Sequence, residues 1–242
     1  MTLHTFFIIG AQRCGTTSLA QVLSRSPDVG ILGTAPPERR LFLRHADPQA
    51  ALAELHSHAG AQVRWMGCKS TTYLERMIAA ERIQRVVPQA QVIVMLRDPI
   101  TRAVSNYHYT CLNGLEHLPI DEALDLDAQQ RSWDTGGIST NPFAYLDRGR
   151  YAEFLEPWLA LFPDMMVFIL EELLSGTDSL QRLGDTMGIE IDDFSLAWTH
   201  ENQGDLAAER PSDTTVTRLR DYYAGPNERL TAVLGRPITA WA

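Results

Sequence analysis

Three observations predict an α/β fold in which a central parallel sheet carries helices on both faces. Apolar runs of strand length alternate with helix-period segments along the chain, the pattern that closes into a parallel sheet. The clearest runs, FFIIG and the VIVML of QVIVML, are apolar throughout, as strands buried on both faces must be. With 242 residues and 45% apolar content, the chain can bury a substantial core.

Thr5–Gly10 is expected as a buried strand, and a helix follows from about Thr16 to Ser26, where Ser26-Pro27-Asp28 stops it. Gly33–Pro37 is loop-like and leads into Glu38-Arg39-Arg40-Leu41-Phe42-Leu43. Pro48–His58 has helical character, and Gln62–Lys69 can form a second strand. Leu74, Met77, Ile78 and Ile83 recur at helical spacing within Tyr73–Val87, before Pro88. Gln91–Leu96 is a strand, and Pro99–Leu112 a helix with proline near its start. Gly136-Gly137 and Asn141-Pro142 make the segment near 113–148 irregular, and it is expected to face substrate. Tyr151–Phe162 is an amphipathic helix, Met165–Leu170 a strand and Ser179–Met187 a helix. The polar stretch Thr199–Ser212 precedes a last helix from about Thr214 to Leu234. No repeat divides the chain, so residues 1–242 are expected to form a single domain.

Residues 6–17, FFIIGAQRCGTT, join a strand to a helix through a glycine-bounded loop. Helix N-termini present unpaired N–H groups and partial positive charge, which favours a bound anion. Gly10 and Gly15 let the backbone curl close to a ligand, Arg13 adds a cation, and the Thr16 and Thr17 hydroxyls can donate to phosphate oxygens. The loop resembles a Walker A motif, G-x-x-x-x-G-K-[ST], but Thr16 stands where the phosphate-reaching lysine belongs. That makes it P-loop-like while arguing against ordinary ATP or GTP hydrolysis. Taken alone, the segment is also compatible with a turn that binds nothing.

The net charge of −9, from 30 acidic and 21 basic residues, argues against nucleic acid or an anionic membrane surface as partner. The longest apolar runs are too short to span a bilayer. Cys14, Cys68 and Cys111 form no disulfide pattern, and the N-terminus lacks the features of a signal peptide, so a reducing cytoplasmic location is expected. The histidines show no metal-ligand spacing, and no metal is expected.

After QVIVML comes RDPITRAVSNYHY, with Arg97 at the strand end and Ser105 about two helical turns into the next helix. By itself this is compatible with Arg97 pairing with Asp98 beside a solvated serine. Both segments together are similar to the sulfotransferases that use 3′-phosphoadenosine 5′-phosphosulfate (PAPS). In that family [KR]-x-G-T-T binds the 5′-phosphosulfate, matched by Arg13-Cys14-Gly15-Thr16-Thr17 with Ser18 beside them. An Arg-[Asp/Asn]-Pro, with an Arg and a Ser further along the helix, binds the 3′-phosphate, matched by Arg97, Asp98, Pro99, Arg102 and Ser105. Gly149–Leu173 resembles the family's G-x-Y-x-x-x-L-x-x-W-x-x-x-F-P segment, and Arg218–Gly235 its C-terminal helix.

Glu38-Arg39-Arg40-Leu41-Phe42 and Lys69-Ser70-Thr71-Thr72-Tyr73 resemble the glycan-sulfating branch, with its K-E-x-H-F-F and K-[ST]-P-x-Y, more than the phenol and steroid branch. Arg40, Leu43 and Thr71 stand where that branch has His, Asp and Pro. The resemblance implies PAPS as donor, no obligatory metal, and a small-molecule or carbohydrate hydroxyl as acceptor. It implies Arg13 on the departing 5′-phosphate, Arg97 and Ser105 on the 3′-phosphate, and Arg210 in place of a shortened basic loop. Glu38 is the expected base, with His108 as alternative, and Lys69 the group holding the transferring sulfonate. A surface carboxylate at Glu38 and a surface lysine at Lys69 are the plainer readings. A P-loop small-molecule kinase and a non-catalytic nucleotide-binding scaffold are the competing functions.

Overall fold

The computed structural model describes residues 2–34, 38–125, 131, 133, 141–176, 180–191, 194, 198 and 209–241. By their contacts the residues fall into two compact units, Met1–Leu96 with Pro157–Thr199 and Arg97–Glu156 with His200–Ala242.

The first unit holds a five-stranded sheet in the order β2-β3-β1-β4-β5. The strands are β1 (His4–Gly10), β2 (Val29–Leu32), β3 (Trp65–Lys69), β4 (Gln91–Leu96) and β5 (Met166–Ile169). Every pairing is parallel, so all loops leaving the strands emerge on one edge. Helices α1 (Thr16–Leu23), α2 (Leu41–Arg44), α3 (Pro48–Ser57), α4 (Met77–Val86), α8 (Leu170–Leu174) and α9 (Gln181–Met187) accompany the sheet. β1 is central because Phe6, Phe7, Ile8 and Ile9 have no exposed surface, leaving it no solvent-facing side. The chain passes from β1 to β2 and β3 on one side, then to β4 and β5 on the other. β1 thus stands at a topological switch point, where open α/β sheets bind ligands at their carboxyl edge.

The differences from the sequence reading are local. α1 ends at Leu23 rather than Ser26, because Arg25 and Ser26 tighten into i→i+3 bonds to Val22 and Leu23 ahead of Pro27. β2 was not anticipated: VGIL is too short to show a period, and its in-register pairing with β3 makes it a strand. Gln62–Lys69 narrows to Trp65–Lys69 and Tyr73–Val87 to Met77–Val86. Leu170 opens α8 instead of closing β5.

The second unit is helical: α5 (Pro99–Leu112), α6 (Ile120–Ala123), the first part of α7 (Tyr151–Leu161), and α10 (Asp213–Leu234). Its core gathers Ala103, Tyr107, Ile120, Leu124, Tyr145, Leu219 and Tyr223. Asp98 caps α5 by accepting the Thr101 amide at 2.8 Å, and Ser212 caps α10 by accepting that of Thr215 at 3.3 Å. Arg102, fully buried, donates to the Tyr145 carbonyl, and Arg148 donates to Asn141 O at 2.5 Å. The segment expected to be irregular therefore carries α6 and a 3₁₀ turn at Asp147–Gly149; residues 126–130, 132 and 134–140 lie outside the described residues.

A buried polar cluster fastens that segment. Arg131 grips Glu116 with both guanidinium arms, at 3.1 and 2.5 Å, and Tyr145 donates to the same carboxylate at 2.8 Å. Burial alone would raise the Glu116 carboxyl. Arg131, the Leu118 amide, the Tyr145 hydroxyl and the His117 amide outweigh it and hold the group down at about 2, against an ordinary 4.5. A depressed carboxylate stabilises the fold above its unfolded value and loses that contribution as pH falls towards its folded value. Glu116→Gln is accordingly expected to cost roughly 3 kcal/mol at neutral pH. Urea titrations between pH 5 and 2 should show a flatter pH dependence for the variant; parallel curves would refute the assignment.

Candidate active site

The loop after β1 runs through Gly15 into the N-terminus of α1. Gly15 precedes α1 with φ 82°, has no side chain to cap the helix, and is followed by a first turn without acidic residues. The first-turn amides therefore face no competing carboxylate or side-chain acceptor from the cap, as an anion site requires. A Cβ on Gly15 would lie 2.8 Å from Trp198 Cζ3, 3.0 Å from Leu170 Cδ1 and 3.3 Å from Met95 Cε, so only glycine fits that wall. The Ala11 amide donates to Met95 O at 2.7 Å, tying the loop to the end of β4. Cys14 is buried, its thiol 3.5 Å from Gln12 O; Thr16 and Ser18 are buried and Thr17 is half-buried.

The turn leaving β3 hangs from β1 just before this loop. The Ser70 amide donates to Ile8 O and that of Leu74 to Ile9 O, both at 3.0 Å. The turn also collects Glu38. Lys69 Nζ lies 3.0 Å from Glu38 Oε1, and Thr71 Oγ1 donates to the same oxygen at 3.1 Å. The Thr71 amide donates to Oε2 at 2.9 Å, with Ser70 Oγ at 3.4 Å. The Lys69 and Glu38 side chains are only 6% and 16% exposed, so neither is the solvated surface charge that sequence alone allows. The groups that hydrogen-bond Glu38 are Lys69, Ser70 and Thr71, 31 or more residues along the chain. Tyr73 Oη completes the arrangement by accepting the Phe42 amide at 3.0 Å, which anchors α2 immediately after the Glu38 segment. Burial pushes the neighbouring Cys68 thiol up to about 12, so it stays protonated.

Two non-glycine residues among those described have a left-handed backbone, Arg13 with φ 65° and Arg40 with φ 50°. Both belong to the segments bearing the expected site residues. Such strain persists where the surroundings impose it, commonly at functional sites. Arg40→Gly is expected to stabilise the protein by about 1 kcal/mol through release of that strain. Arg39→Gly, at a position with no left-handed backbone, should give no gain. Chemical denaturation of the two variants decides: equal destabilisation by both would show that the Arg40 backbone is unstrained.

Arg97, Ser105 and Arg210 belong to the second unit and are described within it. Arg97 precedes the cap of α5, and Tyr151 Oη donates to its carbonyl at 2.8 Å. Ser105 is half-buried on α5. Asp98 serves as the helix cap. Arg210 is exposed on a segment pinned through Glu209, which accepts from Tyr107 Oη at 2.8 Å and from the Ile120 amide at 3.2 Å. His108 Nε2 lies 2.7 Å from Glu209 O, a contact in which the ring nitrogen must donate. Sequence reasoning missed Thr71 and Ser70 as partners of Glu38, Tyr151 behind Arg97, and Trp198 against Gly15. The run of hydroxyls after Lys69 was the available signal for the first two.

The model for the sulfotransferase domain matches residues 3–173. Human heparan sulfate glucosamine 3-O-sulfotransferase 3B1 is 30% identical over 188 residues, covering 76% of this chain and 45% of that protein. Rat carbohydrate sulfotransferase 15 is 26% identical over 310 residues, covering 99% of this chain and 54% of that protein. The chain thus spans about half the length of the curated relatives it matches. Among solved structures, a sulfotransferase from Alicyclobacillus acidocaldarius superposes with a TM-score of 0.76 at 24% identity, over 100% of this chain and 99% of the other. A mouse sulfotransferase, SULT7A1, crystallised with PAP, gives 0.51 at 17% identity, over 95% and 84% of the two chains. At these identities the structural likenesses speak for the fold. With the family model covering well over half its residues, this chain belongs to the sulfotransferase domain family.

Proposed function

We propose that this chain transfers the sulfuryl group of PAPS to a hydroxyl of a carbohydrate or other small hydroxylated acceptor. The observation that carries the reading is the Glu38–Lys69 pair, held by a turn that hydrogen-bonds to the same strand that ends in the anion-holding loop. The residues fit the donor's 5′ end: a glycine-walled cradle, free of acidic residues in the first helical turn, with an arginine in the loop. The relatives named for heparan sulfate and carbohydrate support the acceptor class.

In this reading the acceptor oxygen attacks sulfur in line as the bond from sulfur to the 5′-phosphate oxygen breaks. Glu38 takes the acceptor's proton, and 3′,5′-bisphosphoadenosine leaves. Arg13 and the α1 amides stabilise charge developing on the departing phosphate, and Lys69 lies beside the base to hold sulfonate oxygens. Arg97 and Ser105, with Arg210, supply the 3′-phosphate contacts that distinguish this donor from ATP. No step needs a metal bridge, because the leaving group is a bisphosphate rather than a metal-bound triphosphate.

Thermal shifts with 3′,5′-bisphosphoadenosine, ATP and AMP test the donor. The bisphosphate should give the largest shift, and a large shift with ATP alone would favour a kinase instead. Labelled PAPS offered with mono- and oligosaccharides then separates an enzyme from a binding scaffold. We further propose a cytoplasmic location, supported by the free thiols of Cys14, Cys68 and Cys111. Alkylation of the protein denatured directly from cells should find all three reduced; oxidised thiols would contradict it.

A further inference from the structure

Among the described residues, Glu38 accepts from four donor atoms, and two of them belong to one residue, Thr71. Its amide binds Oε2 at 2.9 Å and its hydroxyl binds Oε1 at 3.1 Å. A carboxylate held through both oxygens by one residue cannot rotate about its terminal torsion without breaking a bond. Lys69 alone supplies charge at one oxygen and does not fix the carboxylate plane; Ser70, at 3.4 Å, is the longest contact of the set.

Thr71 is itself well placed to impose an orientation. The amides of its neighbours Ser70 and Leu74 are bonded to the backbone of β1, and the Tyr73 amide closes the turn on Ser70 O at 3.1 Å. Thr72 is 1% exposed. On the other side, α2 is held against the same turn by the Phe42 amide on Tyr73 Oη, and Arg82 Nη1 donates to Phe42 O at 3.0 Å. The Glu38 segment and the Thr71 turn are thereby also tied together through Phe42 and Tyr73, so the two Thr71 bonds set the direction in which the carboxylate presents its lone pairs. A proline at this position, as in the K-[ST]-P-x-Y pattern, would supply neither donor.

We propose that Thr71 is the positioning residue for Glu38 in this chain, aligning the carboxylate for proton abstraction without itself touching donor or acceptor. The inference rests on the reading of Glu38 as the base. Thr71→Val keeps the branched shape and the amide and removes only the hydroxyl, while Thr71→Ser restores it. With labelled PAPS and desulfated heparan and chondroitin oligosaccharides as acceptors, Val should lower kcat about tenfold, the loss expected from one hydrogen bond to a charged group. It should leave the KM for PAPS and the Kd for 3′,5′-bisphosphoadenosine unchanged, and Ser should recover most of kcat.

An arm that needs no acceptor is the amide resonance of Thr71 in a ¹⁵N–¹H spectrum. That proton should move upfield in Glu38→Gln, which weakens the acceptor, relative to the amides of α9. An unmoved Thr71 amide, or a Val variant with wild-type kcat while Glu38→Gln is inactive, overturns the proposal. So does equal impairment of Val and Ser. Full activity in Glu38→Gln overturns the base assignment, and the proposal with it.

Discussion

Glu38→Ala should lose activity and stability together, and a second substitution should separate the two losses. The carboxylate and Lys69 are 3.0 Å apart with side chains 16% and 6% exposed, so deleting one leaves the other as an uncompensated, largely desolvated charge. Breaking such a pair from one side costs about 3 kcal/mol or more, most of it the stranded partner's penalty rather than the pair's net worth. Replacing both members with apolar groups is close to neutral for the same reason. The double variant Glu38→Ala/Lys69→Met should therefore recover most of the lost stability in urea titrations.

Activity should not follow. Loss of a general base costs 10²–10⁴-fold in kcat, and Lys69→Met removes a second charge from the site. Binding of 3′,5′-bisphosphoadenosine, whose contacts are assigned to Arg13, the α1 amides, Arg97 and Ser105, should change little in either variant. A Glu38→Ala protein that turns over normally would remove the base assignment and leave the donor assignment standing. A double variant no more stable than the single would show that Glu38 matters to the fold through Thr71 and Ser70 rather than through Lys69.

The parts of this site that were legible in the sequence are those in which chemistry and chain order coincide. The glycine-bounded loop after β1, the β4 strand and α5 are continuous segments whose glycines, proline and apolar runs carry their own instructions. Gln91–Leu96 and Pro99–Leu112 accordingly appear with the bounds read from residue pattern alone. What stayed hidden is made by neighbours in space. β2 exists because β3 offers a register for four residues that show no period of their own. The partners of Glu38 lie past two helices, at and just after the end of β3, and residue spacing carries no information about which strand-end turn will receive a carboxylate. The division of the chain is equally tertiary. The boundary falls directly after β4, and the chain re-enters the first unit within α7, at Pro157, where the residue pattern reads as one uninterrupted amphipathic helix. Left-handed backbone at Arg13 and Arg40 is the remaining case: arginine is not a residue from which positive φ is read, so the strain emerges only when packing imposes it.

Gly15→Ala should damage fold and activity together. Two penalties act on one atom. At φ 82° an alanine pays the left-handed cost of about 1–2 kcal/mol that glycine avoids. Its Cβ would also stand 2.8 Å from the Trp198 ring and 3.0 Å from Leu170 Cδ1, an overpacking that costs about 1–3 kcal/mol in a close-packed wall. The chain can relieve both by shifting the loop, but the loop's amides are the proposed anion site. A displacement of about 1 Å suffices to cost on the order of 10²-fold in catalysis. We therefore expect kcat/KM for PAPS to fall by roughly 10²-fold or more, with the affinity for 3′,5′-bisphosphoadenosine falling alongside it in calorimetric titrations. The two penalties can be told apart. Adding Trp198→Leu makes room for the methyl and should return part of the stability. The left-handed penalty and the weak nucleotide binding should remain, because no side-chain trimming changes what φ 82° demands of an alanine. If the double variant regained wild-type affinity, steric contact alone would explain the loss. If Gly15→Ala bound the bisphosphate as well as the parent protein, the N-terminus of α1 would not be the seat of its 5′-phosphate.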